Sequence, residues 1–382
     1  MNDIVQLQPA DFDEALDLLN LAFGFKAPPD DFESILPKLY QPNRMGWNYA
    51  IRTREGLRAI VGVFPMTFHV GSTRLKVGGI GGVGTHPDAR GEGHMSRLMN
   101  YCLGTMKREG FDLSCLGGLR QRYAKFGYET GGVRHNFQVL RQNIQRVPEA
   151  DRPVRFCPLA NENAEALATV QELHDRSPVR VDRPMQDFQV ICRSWDNWAY
   201  AAHDQENRVA GYLVADKTGA LILELHARDT TSALAMVRSW MDEHCIDDLR
   251  ILAKPSDREL VHALGNCAQE HLITHSYSWN IFNWPRTVNA FLQLYTGKEP
   301  CPAGSCVVEV EDVSRLRLSV TEESAACRET SQPASIHCTK RQAIRLLFGP
   351  AAPDSLMTLP QAAGILRAWC PLPLGWSSVD AV

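Results

Sequence analysis

The chain has no apolar run long enough to span a bilayer, which excludes a transmembrane helix and argues against a membrane partner. It has no basic surplus: 40 Lys and Arg stand against 44 Asp and Glu, a formal net charge of −4. Dedicated nucleic-acid binders carry such a surplus, so no nucleic-acid partner is expected. Residues 1–9 lack the basic start and apolar stretch of a secretory signal. The 11 cysteines form no CxxC pair, and the closest spacing, Cys301 to Cys306, has no second pair to complete a zinc site. They read as reduced thiols of a cytoplasmic protein with no metal. The remaining composition is ordinary for a globular chain, 44% hydrophobic and 22% charged, which excludes wholesale disorder, collagen-like repeats and a coiled coil. At 382 residues the length predicts two or three domains.

Periodicity divides the chain into an α/β (α+β) order. Residues 8–24 read as a helix capped by Asp11, with Phe12, Ala15, Leu16, Leu19 and Phe23 on one face. A loop with two prolines and a short helix over 32–40 follow. Strands are expected at 48–54, 58–69 and 74–85, the last two joined as a hairpin, then a helix over 93–110 and a strand at 112–116. The polar stretch 141–155 reads as a linker. Beyond it the order recurs: helix 161–174, strands 198–203, 208–216 and 221–227, helix 231–244, strand 248–253 and helix 257–270. This predicts an internal duplication. A third unit carries a helix at 287–295, strands at 305–310 and 315–320, helices at 339–347 and 359–368, and an aromatic-bearing tail ending in Asp380-Ala-Val382.

The chemistry concentrates in Gly81-Gly-Val-Gly-Thr-His-Pro-Asp-Ala-Arg-Gly-Glu-Gly-His-Met-Ser96, where a strand runs through a glycine-bearing loop directly into a helix. Glycines let backbone N–H groups converge, and the helix start adds the positive end of its dipole. Together they form a cradle for a diphosphate. The alternative is a glycine-rich connection with no ligand, and the strand before and helix after favour the cradle.

The spacing Val83-x-x-x-Pro87-x-x-Arg90-Gly-x-Gly93 resembles motif A of the GNAT N-acetyltransferases, and Tyr123-Ala-Lys-Phe-Gly-Tyr128 resembles their motif B. Met95 departs from the Gly or Ala that many members carry, which suggests a bulkier loop. Over the whole chain, the layout is similar to the enhanced intracellular survival (Eis) acetyltransferases. The resemblance implies tandem GNAT folds with mixed central sheets: a catalytic domain at 1–140, a degenerate one at 150–284, and a sterol-carrier-protein-like α/β domain with the tail at 285–382. The stretch 225–234, which matches the cradle in the second unit, has no glycine, so that unit is expected to be free of cofactor.

The resemblance further implies acetyl-CoA as co-substrate. Val83, Gly84 and Thr85 would pair with its pantetheine arm. Arg90, Gly91, Glu92, Gly93, His94, Met95 and Ser96 would surround its pyrophosphate, and Gly118 and Leu119 its acetyl end. The family's general acid falls on Tyr123, whose phenol would protonate the leaving thiolate. For Tyr123 the alternative is a core aromatic with a satisfied hydroxyl, a role that suits Tyr128 better. The family's base, the chain's own terminal carboxylate, falls on Val382, against the alternative of a frayed tail. Phe25, Asp30, Asp31 and Asp380 are candidates for the acceptor mouth, although acidic pairs in loops are commonly just solvated. The acceptor would be a primary amine on a small molecule (aminoglycoside- or polyamine-like) or on a lysine, and a homo-oligomer, in the family often a hexamer, is implied. His86 and His94 lack metal partners at useful spacing, and Cys102 and Cys115 read as core. The rival class is a non-catalytic protein that senses acyl-CoA or binds an apolar ligand.

Overall fold

The computed structural model describes residues 3–25, 31–160, 163–297 and 301–382. The first stretch contains β1 (Asp3–Gln6), α1 (Phe12–Phe23), α2 (Phe32–Ile35), β2 (Asn48–Thr53), β3 (Gly56–Val70) and β4 (Thr73–Thr85). It continues with α3 (His94–Arg108), β5 (Leu113–Leu116), α4 (Arg120–Ala124) and β6 (Glu129–Gly131). The middle stretch opens with β7 (Arg134–Leu140), α5 (Arg141–Ile144), β8 (Arg155–Pro158), α6 (Ala164–Asp175), β9 (Val179–Val181) and α7 (Met185–Arg193). Then come β10 (Trp198–His203), β11 (Val209–Ala215), β12 (Leu221–Ala227), α8 (Thr230–Glu243), β13 (Asp248–Ala253), α9 (Arg258–Cys267) and β14 (Glu270–Thr274). The last stretch has β15 (Tyr277–Ile281), α10 (Trp284–Thr296), the strands β16 (Gly304–Val310), β17 (Ser314–Val320), β18 (Ala325–Glu329) and β19 (Ile336–Cys338), and the helices α11 (Lys340–Phe348), α12 (Pro353–Leu356) and α13 (Leu366–Trp369).

These elements form two compact units, one of residues 1–131, 277–372 and 381–382, the other of 132–276 and 373–380. In the first unit a sheet runs β1-β2-β3-β4-β5-β15-β6, antiparallel except for the β4/β5 pair. A smaller sheet, β18-β17-β16-β19, belongs to the same unit. The second unit repeats the main pattern as β14-β7-β13-β12-β11-β10-β8, with β12/β13 as its parallel pair. Each main sheet therefore draws one strand from beyond the expected boundaries. β7, inside the stretch read as the first domain, pairs in the second sheet, and β15, inside the stretch read as the second, pairs in the first.

In the first unit α3 buries Leu98, Met99, Cys102 and Met106 against one face of the main sheet, while α1 and α2 cover the other with Ala15, Leu19, Phe32 and Ile35. Cys102 and Cys115 are fully buried.

Four expectations need correction. Asp11 does not cap α1 through its side chain; it accepts from the Gln8 amide at 2.7 Å and pairs with Arg52 at 2.7 Å. The helix expected over 32–40 stops at Ile35, because Pro37 forces Leu36 out of helical geometry. The stretch 141–155 is no free linker: Ile144 and Ala150 are buried in the second unit's core. The helix expected over 359–368 is reduced to a 3₁₀ turn at Gln361–Ala363 and the short α13, interrupted at Gly364.

Candidate active site

β4 and β5 pair in parallel from Val77↔Leu113 to Ile80↔Leu116 and then part. Beyond Ile80, β4 runs on to Thr85 with β3 on one edge, through Ile60↔Gly84 and Ala59↔Thr85. No strand among the described residues takes its other edge, so the backbone of Val83, Gly84 and Thr85 borders an open wedge. The loop after β4 carries Gly91 at φ +91° and Gly93 at φ +78°, a left-handed geometry that side chains resist. Gly93 is the residue before α3, and no side chain among the described residues caps that helix. Its first-turn N–H groups are left for water or an anion. A Cβ on Gly91 or Gly93 would meet nothing within 4 Å, and Arg90 and Glu92 are exposed, so the cradle is open. These features fit a pyrophosphate group.

Around the cradle, His94 is buried with its Nε2 3.0 Å from a Glu92 carboxylate oxygen. Met95 packs into the core rather than enlarging the loop. Ser96 accepts a hydrogen bond from Lys125 Nζ at 3.0 Å, which sets a cation beside the start of α3. Lys125 lies inside Tyr-Ala-Lys-Phe-Gly-Tyr, and sequence reading did not single it out.

Past β5 the chain turns through Gly118 at φ +129°, where an added Cβ would come within 3.0 Å of the Tyr123 ring. Leu119 is 65% exposed beside it. Tyr123 is 6% exposed, and burial raises its phenol pKa above the ordinary value despite the opposing pull of Arg122. It is a proton-bearing phenol at neutral pH. Tyr128 is fully buried, with its Oη 2.6 Å from Ser114 Oγ. Because the Ser114 hydroxyl donates to the Gly78 carbonyl at 2.6 Å, the Tyr128 phenol must be the donor in that bond, so its proton is committed.

The C-terminus lies on the opposite face of β4 from α3. Val382 packs against the cluster that includes Leu19, Tyr40 and Phe64. A Cβ on Gly79 would approach its side chain to 2.7 Å, and one on Gly81 its carboxyl carbon to 2.8 Å. The register sets Gly79 opposite Cys115 and Ile80 opposite Leu116; Tyr123 packs in the cluster on the α3 face of the sheet and Val382 in the cluster on the α1 face. Gly79 and Gly81 were missed as site residues. Their signal is the density of glycine in Lys76-Val-Gly-Gly-Ile-Gly-Gly-Val-Gly-Thr85.

The acceptor candidates fare differently. Phe25 is half-buried and meets Phe32 edge-on at 5.2 Å, in a series of rings continued by Tyr40 and Phe64. Tyr40 Oη is buried without a hydrogen-bond partner among the described residues and lies where a Cβ of Gly82 would fall. Asp30 lies outside the described residues. Asp31 is 7% exposed and caps α2 by accepting from the Ser34 amide at 2.9 Å, so its carboxylate is engaged. Asp380 requires correction. Its carboxylate is buried and accepts from Arg183 Nε at 2.8 Å and Nη2 at 3.0 Å, so it does not face an acceptor.

The second unit contrasts with this arrangement. β12 and β13 pair only at Leu221↔Arg250 and Ile222↔Ile251 before parting. The helix that follows, α8, is capped by Asp229, which accepts from the Ser232 amide at 2.7 Å. A carboxylate thus sits where the first unit leaves a helix start open. Arg183 also donates to Glu224 at 2.7 and 2.8 Å, and Glu224 accepts from Tyr212 and Ser377 as well. His174, Glu224 and His226 are the one group of three possible metal ligands among the described residues. The guanidinium and the two hydroxyls already occupy the carboxylate of that group.

Residues 3–131 match the family described as "Acetyltransferase (GNAT) domain". The whole chain superposes on a GCN5-related N-acetyltransferase from Kribbella flavida with TM-score 0.72 at 18% identity, covering 100% of both chains. A GCN5-related N-acetyltransferase from Anabaena variabilis gives 0.71 at 17%, again over 100% of both. Eis1 from Mycobacterium abscessus gives 0.67 at 16%, over 98% of each. At these identities the likeness establishes a shared fold. No curated protein matches the chain in sequence. No helix among the described residues is long and apolar enough to cross a membrane.

Proposed function

We propose, from the premise that residues 3–131 are a GNAT acetyltransferase domain and that acetyl-CoA is the donor, that the chain acetylates a primary amine by direct attack, with Tyr123 as general acid and the Val382 carboxylate as base. The amine arrives as an ammonium, since its ordinary pKa of about 10 lies well above neutrality. The carboxylate of Val382 takes one of its protons. The freed nitrogen then attacks the acetyl carbonyl carbon, the carbon–sulfur bond breaks as the Tyr123 hydroxyl supplies a proton to the departing thiolate, and the surplus proton on the acylated nitrogen passes through solvent to restore the Tyr123 phenol, leaving the neutral amide.

The observation that carries this reading is Val382 lodged against Gly79 and Gly81 of β4. A terminal carboxylate is an unusual group to set on a sheet beside a phosphate cradle, and two glycines make the room for it. The buried, protonated Tyr123 at the adjoining strand end supports the acid role. With Asp31 and Asp380 engaged elsewhere, an acceptor would be recognised by Val382's charge and by the half-buried ring of Phe25, which suits a cation. Aminoglycoside-, polyamine- and lysine-type amines all meet that description.

The test is thiol release from acetyl-CoA against a panel of such amines, with wild type and a chain extended by a few residues after Val382. The extension replaces the anion by a neutral amide. Acetyl-CoA binding should persist by calorimetry while turnover is lost. An extended chain with wild-type kcat would remove Val382 from the mechanism, and a wild type that binds without turnover would make the chain a sensor.

A further inference from the structure

The segment that carries Tyr123 is closed on itself by charge. Its first residue, Arg120, donates through Nε and Nη2 to the two carboxylate oxygens of Glu129, the latter at 2.8 Å. Glu129 opens β6, just past Tyr128, and is 1% exposed. A second guanidinium reaches the same carboxylate from α11: Arg341 lies at 2.8 Å through Nε and 2.7 Å through Nη2. The Thr130 amide and hydroxyl complete the set at 2.9 and 3.1 Å. Burial alone would push the Glu129 pKa up, but the hydrogen bonds from Arg120 and Arg341 carry it down to about 2, so the group is an anion throughout the working range.

That arrangement has a consequence for the acid. α4 spans only Arg120–Ala124, too short to hold a helical orientation by its own hydrogen bonds. Tyr123 is on its last turn. Of the side-chain bonds to this segment, that from Asn280 to the Phe126 carbonyl, at 2.9 Å, fixes the turn after α4, and the Glu129 pair fixes its start. α11 is itself packed on β6, since a Cβ at Gly131 would come within 2.8 Å of the Ile344 side chain. Arg341 therefore reaches the carboxylate from a well-seated helix.

We propose that Glu129, clasped by Arg120 and Arg341, is a positioning residue that holds α4 so that the Tyr123 phenol stays against Gly118 at the end of β5. The inference rests on Tyr123 being the general acid. It assigns a mechanistic duty to the C-terminal segment: through Arg341, α11 sets the aim of a side chain it does not carry.

A double-mutant cycle between Glu129→Gln and Tyr123→Phe tests it, read as kcat and as KM for acetyl-CoA. Glu129→Gln alone should lower kcat by roughly 10- to 100-fold, the scale of a misaimed catalytic group, with KM nearly unchanged. In the Tyr123→Phe background the same change should have almost no further effect. Arg341→Met, which leaves the Arg120–Glu129 pair in place and alters a half-exposed side chain, should give a milder fall of the same kind, and Arg341→Lys should recover part of it. Losses that multiply in the double variant would overturn the positioning role while leaving Tyr123 as the acid. Wild-type kcat in both Glu129→Gln and Arg341→Met would overturn it as well. Wild-type kcat in Tyr123→Phe would remove the acid and the positioning role together.

Discussion

Val382 and Gly81 compete for the same space: a Cβ at residue 81 would stand 2.8 Å from the carboxyl carbon of residue 382. Real Cβ atoms do not approach backbone that closely, so the seated terminus requires glycine at this position. Gly79 repeats the relationship at 2.7 Å from the Val382 side chain.

Gly81→Ala should therefore unseat the terminus without disturbing the phosphate cradle, which lies beyond the end of the same strand. The expected outcome is a fall in kcat with acetyl-CoA affinity retained, measured by steady-state kinetics and calorimetry. Release of Val382 by a carboxypeptidase, followed by mass spectrometry, should be faster in the variant than in wild type. Equal release rates would show that the strand does not confine the terminus.

The two tyrosines separate by a single oxygen each. Tyr123→Phe should lower turnover by roughly the 10² to 10⁴ expected on losing a general acid, with folding intact. Tyr128→Phe removes a buried hydrogen bond to Ser114 and should cost stability of about 1 kcal/mol, seen in urea denaturation, with the smaller effect on turnover. The reverse ranking in turnover would move the acid to Tyr128.

At the cradle, Gly93→Val forces a β-branched residue to φ +78° and should turn the α3 amides away from the anion. Acetyl-CoA affinity should fall, with a loss of thermal stability confined to the backbone strain, because the new side chain meets open space. Wild-type chain should bind one acetyl-CoA, since Asp229 already caps α8 in the second unit. Titration calorimetry giving two sites would contradict that assignment.

Arg183 is buried between Glu224 and Asp380, and Arg183→Met would leave two buried carboxylates without their cation. Removing one partner of such a cluster costs about 3–5 kcal/mol, which denaturation of the second unit would register. The pH dependence should change sign. Burial alone raises the Glu224 pKa, but Arg183 holds it well below the ordinary carboxylate range. In wild type its contribution is present above that ordinary range and is lost as pH falls through the depressed value. Without Arg183 the largest lowering influence is gone and burial is opposed only by His226, His174 and the two hydroxyl donors, so the folded pKa rises and acidification toward pH 4 should stabilise the variant. A variant that weakens steadily from pH 7 to 4, as wild type does at lower pH, would contradict the role of Arg183.

The sequence alone determined those features that depend on near neighbours. The glycine-bearing loop between β4 and α3 was legible because Arg90, Gly91 and Gly93 lie between a strand and the helix that follows, and left-handed backbone at 91 and 93 favours glycine. Tyr123, Tyr128 and the periodic face of α3 were legible for the same local reason. The exchange of β7 and β15 was not, since short strands of half-buried residues carry no mark of which sheet will pair with them. Only the tertiary structure decided that Asp380, two residues from the end, spends its charge on Arg183, which is 197 positions earlier. It also decided that Gly79 and Gly81 make room for Val382, about 300 positions later in sequence, because hydrogen bonds and close packing act across space that sequence separation does not encode.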